Sequence, residues 1–544
     1  MNQKFYGILI LIVFWYGCKT EKTKVDLIVY NGVVHTVDSL KPEAESFAVK
    51  EGKIVAVGTS DRITSHFEAD QKLDAQGQTI VPGLIDAHCH FYNLGLQLQQ
   101  VDLVGTQSFE EVIARVVDFQ ERKKSEFIVG RGWDQNDWEV KEFPVHDTLS
   151  QLFPDTPVAL TRIDGHAMLV NQKAMELANI TAQTKVEGGE IILEKGKPTG
   201  ILIDNPMEFI ESIIPSPNQR QQIDALTEAE KINFSYGLTT VDDAGLSPAV
   251  IRLIDSLQKS EKLIIKVYAM VSNTPEFVDE YLEKGIYKTD KLNVRSFKIY
   301  ADGALGSRGA VLKKPYSDKE NHYGAMVIGV KRFKELAQRL SESGFQMNTH
   351  AIGDSANAVV LQTYREALGA QKDRRWRVEH AQVMSQTDIA SLTSNMMMSV
   401  QPTHATSDMY WAKDRLGERV HGAYAYQDLL QKTGKLALGT DYPVEKVNPF
   451  LTFYAAVVRK DTQGYPEGGF QTENALTREQ ALKGMTIWAA YSNFEEEEKG
   501  SISVGKAADF VILDKDIMTV PDDELPTLQV EATYCNGEKV YGKP

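Results

Sequence analysis

The chain has 544 residues, of which 42% are hydrophobic and 25% charged, and this ordinary globular composition allows a large buried core. The formal net charge is −16, and the acidic residues are spread along the chain. Because the sequence has no basic stripe that could neutralise phosphates, it argues against a nucleic-acid partner.

The first 18 residues resemble an export signal. Lys4 precedes an apolar run at 6–16, which ends at Gly17-Cys18 and is followed by polar residues. This run is too short for a stable membrane span, so we predict a signal peptide. The junction resembles that of a bacterial lipoprotein, with Cys18 carrying the lipid; plain secretion with cleavage nearby is the alternative. We expect an exported protein, either an envelope lipoprotein that meets the membrane only through this anchor or a periplasmic or secreted protein.

Both ends of the chain are rich in short strands and turns. Near the N-terminus, apolar runs flank Glu51-Gly52, a two-residue hairpin signal. The C-terminal residues repeat the pattern around the turn Asn536-Gly537. We interpret the two ends, 25–82 and 500–544, as one composite β-sandwich.

Between these ends, residues 83–499 alternate between strands and helices. Alternation over this many units predicts an α/β fold, a TIM-like (β/α) barrel with a parallel sheet. The alternation of strands and helices is interrupted at about 102–217, where turn residues are frequent. We interpret this region as an insertion into the barrel. The candidate strands of the middle segment are 81–89, 127–130, 158–162, 239–242, 264–269, 294–300, 346–350, 377–380, 397–401 and 435–438.

The strongest local motif is His88-Cys89-His90, which follows Pro82-Gly83 and an aliphatic run. Side chains alternate along a strand, so His88 and His90 face the same way and form a pair of candidate metal ligands. A lone pair of this kind can also occur by chance on a surface strand. The preceding Pro-Gly and aliphatic run make the motif more specific.

Three further residues mark the carboxyl ends of candidate strands, where barrel active sites lie, and a lysine lies within another strand. His350 and His380 each close a strand, and Asp441 follows another; a structural histidine or a turn aspartate is the alternative reading. Lys298 lies among aliphatic residues, where an unpaired amine is costly to bury. It is either carboxylated, as an anionic carbamate bridging two metals, or paired with a helix carboxylate on an outer face.

These motifs together resemble the amidohydrolase superfamily, and within it amidohydrolase family 3, which includes N-substituted formamide deformylases. The resemblance runs from about residue 25 to the C-terminus. Other segments that carry it are Gly130-Arg-Gly-Trp-Asp134, Thr161-Arg-Ile-Asp-Gly-His166, Ala301-Asp-Gly-Ala-Leu-Gly-Ser-Arg308, Gln401-Pro-Thr-His404 and Gly505-Lys-Ala-Ala-Asp509.

The resemblance implies one or two divalent metal ions, usually zinc. It implies that His88 and His90 hold one metal, that His350 and His380 hold the other, and that Lys298 bridges them as carboxylysine. Asp441 would bind metal and transfer protons while metal-activated water attacks the substrate. His166 and His404 are candidate catalytic donors to the oxyanion.

The leading functional hypothesis is a metal-dependent hydrolase that cleaves a non-peptide C–N bond in a small molecule, such as an amide, N-formyl or cyclic amide. An ester or other C–O or P–O bond is the alternative on the same fold. A non-catalytic surface lipoprotein is the alternative from another class. The sequence leaves the substrate and the oligomeric state open, a homo-oligomer included.

Overall fold

A computed structural model of the protein describes residues 22–185, 189–393 and 395–542. The signal peptide and its lipid-attachment residue Cys18 lie outside these ranges and stay a prediction. Within these ranges, none of the helices combines the length and the apolar character needed to cross a bilayer.

The N-terminal segment contributes seven strands and helix α1 (Ser60–His66). One four-stranded sheet has the order β5-β4-β1-β6, while β2, β3 and β7 belong to a second sheet. The strands are β1 (Thr23–Tyr30), β2 (Val33–His35), β3 (Glu43–Ala44), β4 (Ser46–Lys50), β5 (Lys53–Gly58), β6 (Phe67–Asp74) and β7 (Thr79–Pro82).

The first barrel strand, β8 (Leu84–Cys89), comes next, and after α2 the chain leaves the barrel. It forms a separate mixed sheet with the order β13-β14-β12-β11-β10-β9, in the region expected to be an insertion. The strands are β9 (Val101–Asp102), β10 (Ile128–Trp133), β11 (Val158–Arg162), β12 (Ala167–Val170), β13 (Gly189–Glu194) and β14 (Lys197–Asp204). The helices are α2 (Phe91–Gln97), α3 (Phe109–Lys123), α4 (Asp147–Leu152), α5 (Gln172–Leu177) and α6 (Met207–Glu211).

The chain then returns to complete the barrel. Eight parallel strands pair in the order β8-β15-β16-β18-β19-β20-β21-β22, with β17 antiparallel to β18. The remaining strands are β15 (Leu238–Leu246), β16 (Lys266–Ser272), β17 (Tyr287–Lys288), β18 (Leu292–Tyr300), β19 (Gln346–Ala351), β20 (Trp376–His380), β21 (Met396–Val400) and β22 (Leu436–Leu438). The helices are α7 (Gln219–Ser235), α8 (Pro248–Lys259), α9 (Pro275–Lys284), α10 (Val330–Ser341), α11 (Asp354–Leu368), α12 (Gln386–Ala390), α13 (Pro402–Asp408), α14 (Ala412–Leu416), α15 (Tyr426–Thr433), α16 (Pro449–Val458), α17 (Arg478–Gly484) and α18 (Ile487–Ser492). The predicted TIM-like barrel is confirmed.

The barrel sheet nearly closes where the segment after β22 meets the end of β8. The Asp441 N–H donates to the His88 carbonyl at 2.8 Å, and the His90 N–H donates to the Tyr442 carbonyl at 2.8 Å. Gly439 permits this approach, because a Cβ there would lie only 2.5 Å from the His88 nitrogen. The closure therefore places Asp441 beside the His-Cys-His segment.

The last strands, β23 (Phe510–Leu513), β24 (Val530–Cys535) and β25 (Glu538–Gly542), join the second N-terminal sheet in the order β25-β24-β23-β7-β2-β3. This sheet and the four-stranded one share a hydrophobic core, in which the rings of Phe47 and Phe510 lie 5.0 Å apart. Strands from both ends of the chain thus pack together, and the exact domain bounds stay a prediction.

The single strand expected at 81–89 is wrong: it is two strands that belong to different sheets. The break falls at Gly83, where a Cβ would lie 2.3 Å from Thr239 Oγ1. The chain passes there from the terminal sheet into the barrel, and only a residue without a side chain fits this crossing.

Candidate metal centre

The carboxyl ends of the parallel barrel strands bring most of the candidate residues together. His88 lies at the end of β8, and His90 caps helix α2 directly after it. His380 ends β20, and Asp441 follows β22. Because parallel strands end on one face of the barrel, residues far apart in sequence meet there.

Asp441 is the point where the histidines converge. Its Oδ1 lies 3.3 Å from His90 Nε2 and 3.6 Å from His88 Nε2. His88, His380 and Asp441 are buried and offer ligand atoms that all lie within 4.8 Å of one another. This spacing allows one cation to contact several of these atoms.

Lys298 and His350 lie on the neighbouring strands β18 and β19 and complete the cluster. Lys298 Nζ is 2.8 Å from His88 Nε2, and the His350 ring is 4.6 Å from the His380 ring. The Lys298 side chain is buried, and burial lowers the pKa of its amine to about 8. All six predicted metal-site residues therefore lie in one connected cluster.

Unusual backbone angles orient two of these residues. His380 has φ +70° and Asp441 has φ +62°, a left-handed conformation that residues other than glycine seldom adopt. On a regular strand, Glu379 and His380 would face opposite ways. The turn at His380 lets both approach His88: Glu379 Oε2 lies 2.5 Å from its Nδ1, and the His380 ring lies 4.8 Å from its ring.

Burial keeps the imidazoles in the form that binds metals. Desolvation, with the nearby Lys298 charge, lowers the pKa of His88 to about 4 and that of His350 to about 3. Burial likewise lowers the pKa of His380 well below its ordinary value. At neutral pH these rings are neutral, which is the protonation state of a ligating histidine.

Asp441 is ionised in the same environment. Burial alone would raise the pKa of this carboxyl. The close contact with His90, whose Nε2 lies 3.3 Å from Oδ1, opposes this effect, and the pKa lies well below its ordinary value. Asp441 is therefore a carboxylate at neutral pH, able to bind a cation or accept a proton.

Several buried polar atoms of the centre have no hydrogen-bond partner among the residues that the structure describes. They include His350 Nε2, His404 Nε2 and Asp441 Oδ1. Unpaired buried polar atoms are costly and rare, and a group of imidazole nitrogens with a carboxylate oxygen is the donor set of a zinc-type cation. These residues fit a divalent metal.

The two candidate catalytic histidines lie in different places. His404, on α13, is in the centre: its Nε2 is 3.5 Å from Asp441 Oδ2, and its ring stacks 5.8 Å from that of His380. His166 lies in the insertion, where its largely exposed side chain bonds Asp204 Oδ1 at 2.8 Å. The described contacts do not bring His166 into the cluster, and its catalytic role stays a prediction.

The sequence reasoning missed the buried carboxylates that support the centre. Asp86 Oδ1 accepts from the backbone N–H groups of His88 at 3.2 Å and Thr440 at 3.0 Å. Glu379 contacts His88; burial alone would raise its pKa, but Arg377 and His88 lower it to about 2. The signal was in the sequence, because each is a charged residue inside an apolar barrel strand, like Lys298.

The sequence and the fold both match known proteins. Residues 71–541 match the amidohydrolase family. The chain belongs to this family. Protein LONG AFTER FAR-RED 3 of Arabidopsis thaliana is 32% identical over 540 residues, covering 95% of this chain and 91% of that protein. The N-substituted formamide deformylase of Arthrobacter pascens is 26% identical over 543 residues, covering 95% and 98%.

A solved structure shows the same architecture. The uncharacterized metal-dependent hydrolase of Pyrococcus horikoshii OT3 is 28% identical, with a TM-score of 0.76 that covers 91% of this chain and 99% of that one. The family resemblance drawn from the motifs is confirmed, and the matches extend over nearly the whole chain.

Proposed function

We propose that this amidohydrolase uses one or two divalent metal ions, zinc being the best fit, to hydrolyse a non-peptide C–N bond in a small molecule. The observation that carries the proposal is the set of buried ligand atoms without hydrogen-bond partners around Asp441. An amide, N-formyl or cyclic amide is the proposed substrate class. The similarity to N-substituted formamide deformylase supports it, since that protein's name specifies such a bond.

The ligands would divide into two groups. His88 and His90, with Asp441, would hold one ion, and His350 and His380 would hold the other. A bound divalent cation supplies Lewis acidity, which polarises a carbonyl oxygen and lowers the pKa of water.

Asp441 would transfer the proton during hydrolysis. As a buried carboxylate, it accepts a proton from the attacking water, which adds to the carbonyl carbon. It then donates this proton to the departing nitrogen, and the C–N bond breaks. The His404 imidazole, 3.5 Å from the Asp441 carboxylate, would donate a hydrogen bond to the carbonyl oxygen as negative charge develops there.

Lys298 would bridge the two ions after carboxylation. Its neutral amine attacks CO2, a new N–C bond forms, and one proton is released to solvent, which leaves an anionic carbamate. The proposal rests on the burial of this amine beside His88, without an ion-pair contact to a carboxylate among the described residues. Carbon-13 NMR with labelled bicarbonate tests it: a carbamate signal lost in Lys298→Ala supports it, and its absence from the native protein contradicts it.

The function is tested by metal analysis and substrate screening of the soluble chain from residue 19 onward. About one or two equivalents of metal are expected, because the ligand set can hold one or two ions. The zinc-loaded protein is then assayed with N-substituted formamides, anilides, cyclic amides and matching esters. His88→Ala/His90→Ala should lose both metal and turnover, whereas the exposed control His421→Ala should keep both.

Three outcomes would contradict the proposal. A native protein without metal after reconstitution in bicarbonate would remove its basis. If the His88→Ala/His90→Ala variant kept its turnover, these two histidines would be excluded as essential metal ligands. Hydrolysis of the esters alone would assign a C–O bond in place of the C–N bond.

A further inference from the structure

A set of buried charges lies next to the metal centre and has no part in the proposed reaction. Glu379 and Arg377 are on β20, and Asp242 is on β15; all three side chains are fully buried. Charges withdrawn from water are retained only when they are well paired. Their contacts indicate what this pairing does.

The two ring nitrogens of His88 have different surroundings. Nδ1 lies 2.5 Å from Glu379 Oε2, whereas Nε2 lies 2.8 Å from Lys298 Nζ and 3.6 Å from Asp441 Oδ1. An ionised carboxylate can only accept a hydrogen bond, so the proton of the neutral ring must be on Nδ1. The lone pair of Nε2 then faces the metal centre.

Arg377 holds Glu379 in this position. Its Nη2 donates to Glu379 Oε2 at 3.2 Å, and its Nε makes a 2.7 Å ion-pair contact with Oε1 that lies outside hydrogen-bond angles. The same guanidinium donates to the Ala87 carbonyl, next to His88, and to Ser399 Oγ at 3.0 Å. It also pairs with Asp242 at 2.7 Å. One cation thus fixes both the carboxylate and the backbone beside the ligand.

We propose that Glu379, held by Arg377, is the positioning residue that sets the tautomer and orientation of His88 as a metal ligand. The inference rests on the proposed function, since it concerns a ligand of that same centre. A carboxylate that orients a ligating histidine contributes about 10–100-fold to metal affinity. Glu379 should therefore increase the metal affinity, in addition to any effect that it has on folding.

The competing explanation is that Glu379 only neutralises Arg377. Asp242 provides the matched control, because it is also a buried carboxylate paired with Arg377. Among the described residues its side-chain hydrogen bonds go to Arg377 and Asn493, and not to His88. Glu379→Gln and Asp242→Asn each replace one carboxylate by an amide of the same shape. If pairing with Arg377 is the whole role, the two variants should behave alike.

The test measures the Co²⁺ dissociation constant by competition with a chelator, without substrate, together with the Tm of each metal-free protein. We expect Glu379→Gln to raise the dissociation constant by about 10–100-fold. Asp242→Asn should lower the Tm while its dissociation constant stays close to that of the native protein. Equal dissociation constants in native protein and Glu379→Gln, or equal weakening in both variants, would overturn the inference.

A second variant keeps the test decisive if Glu379→Gln does not fold. Glu379→Asp retains the charge but withdraws it by one methylene, so Co²⁺ binding should still weaken; native affinity would overturn the inference. A native protein that binds Co²⁺ but cleaves no amide would contradict the proposed reaction alone. A native protein that binds no Co²⁺ would overturn the inference together with the metal site on which it rests.

Discussion

A buried ion pair joins the barrel to the terminal sheet, and its removal should destabilise the protein strongly. Lys266 begins β16 and Asp509 immediately precedes β23; their side chains are 3% and 4% exposed. Lys266 Nζ lies 2.5 Å from Asp509 Oδ1, also contacts Oδ2, and donates to Asn536 Oδ1 at 2.8 Å. Breaking such a pair leaves an unpaired charge in a place that water does not reach.

Lys266→Met removes the cation with little change in side-chain length. It leaves the buried Asp509 carboxylate without its positively charged partner. We expect the free energy of unfolding to fall by about 3–5 kcal/mol, the usual loss when one partner of a buried pair is removed. Lys266→Met/Asp509→Asn should lose much less than the sum of the single variants, because neither charge is then buried alone.

Urea titration followed by circular dichroism measures these differences. Lys284→Met is the control: it removes the cation of an exposed pair with Glu280, for which about 0–1 kcal/mol is expected. A loss below about 1 kcal/mol in Lys266→Met, or additive single effects, would refute the reasoning.

The same pair predicts how stability depends on pH. Burial alone would lower the pKa of the Lys266 amine, but the Asp509 carboxylate outweighs it and raises this pKa above its ordinary value. A raised pKa in the folded state contributes stability that is fully present below the unfolded-state pKa of about 10.4. This contribution is lost as pH rises through the folded-state pKa, so the native protein and Lys266→Met should converge in stability in strongly alkaline solution.

Three further predictions concern other parts of the molecule. Asp441→Asn should lower kcat by about 10²–10⁴-fold in steady-state assays of the metal-loaded protein, with the exposed Asp118→Asn as control, because the proposed proton-transfer group is lost. Gly95→Ala should lower the stability by about 1–3 kcal/mol in thermal melts, since its Cβ would lie 2.1 Å from the Ala225 carbonyl oxygen; an unchanged Tm would contradict the packing of α2 on α7. Cys18→Ser should abolish incorporation of a labelled fatty acid in a bacterial host, and label retained in the variant would exclude lipidation at this residue.

Strand periodicity predicts part of the metal centre. Alternation along a strand predicts that His88 and His90 face the same side. His90 lies just after β8, as the cap of α2, and both Nε2 atoms lie within 3.6 Å of Asp441 Oδ1. The positions of His350 and His380 at strand ends likewise follow from short apolar runs, which the structure gives as Gln346–Ala351 and Trp376–His380. These features depend on local patterns that the sequence carries directly.

Other features depend on contacts between distant segments. The left-handed backbone at His380 and Asp441 is imposed by the surrounding barrel, because neither residue type demands it. The partnership of Glu379 with His88 joins β20 to β8, and no spacing in the sequence specifies this pair. The sequence does not reveal the break between the two strands at Gly83, because the apolar run continues across it. Both strands are buried, and they differ in the sheet to which they belong.

The pairing of β7 with β23 has a consequence for synthesis of the protein. Roughly 430 residues separate the two strands, so at 5–20 residues per second the ribosome needs about 20–90 s between them. Throughout that interval, β7 of the nascent chain lacks its partner β23, so the strand edge that β23 covers in the folded protein stays unpaired. An unpaired strand edge of this kind can pair with another chain and cause aggregation. Products of premature termination would keep that edge open permanently, and they should aggregate even where most of the barrel sequence is complete.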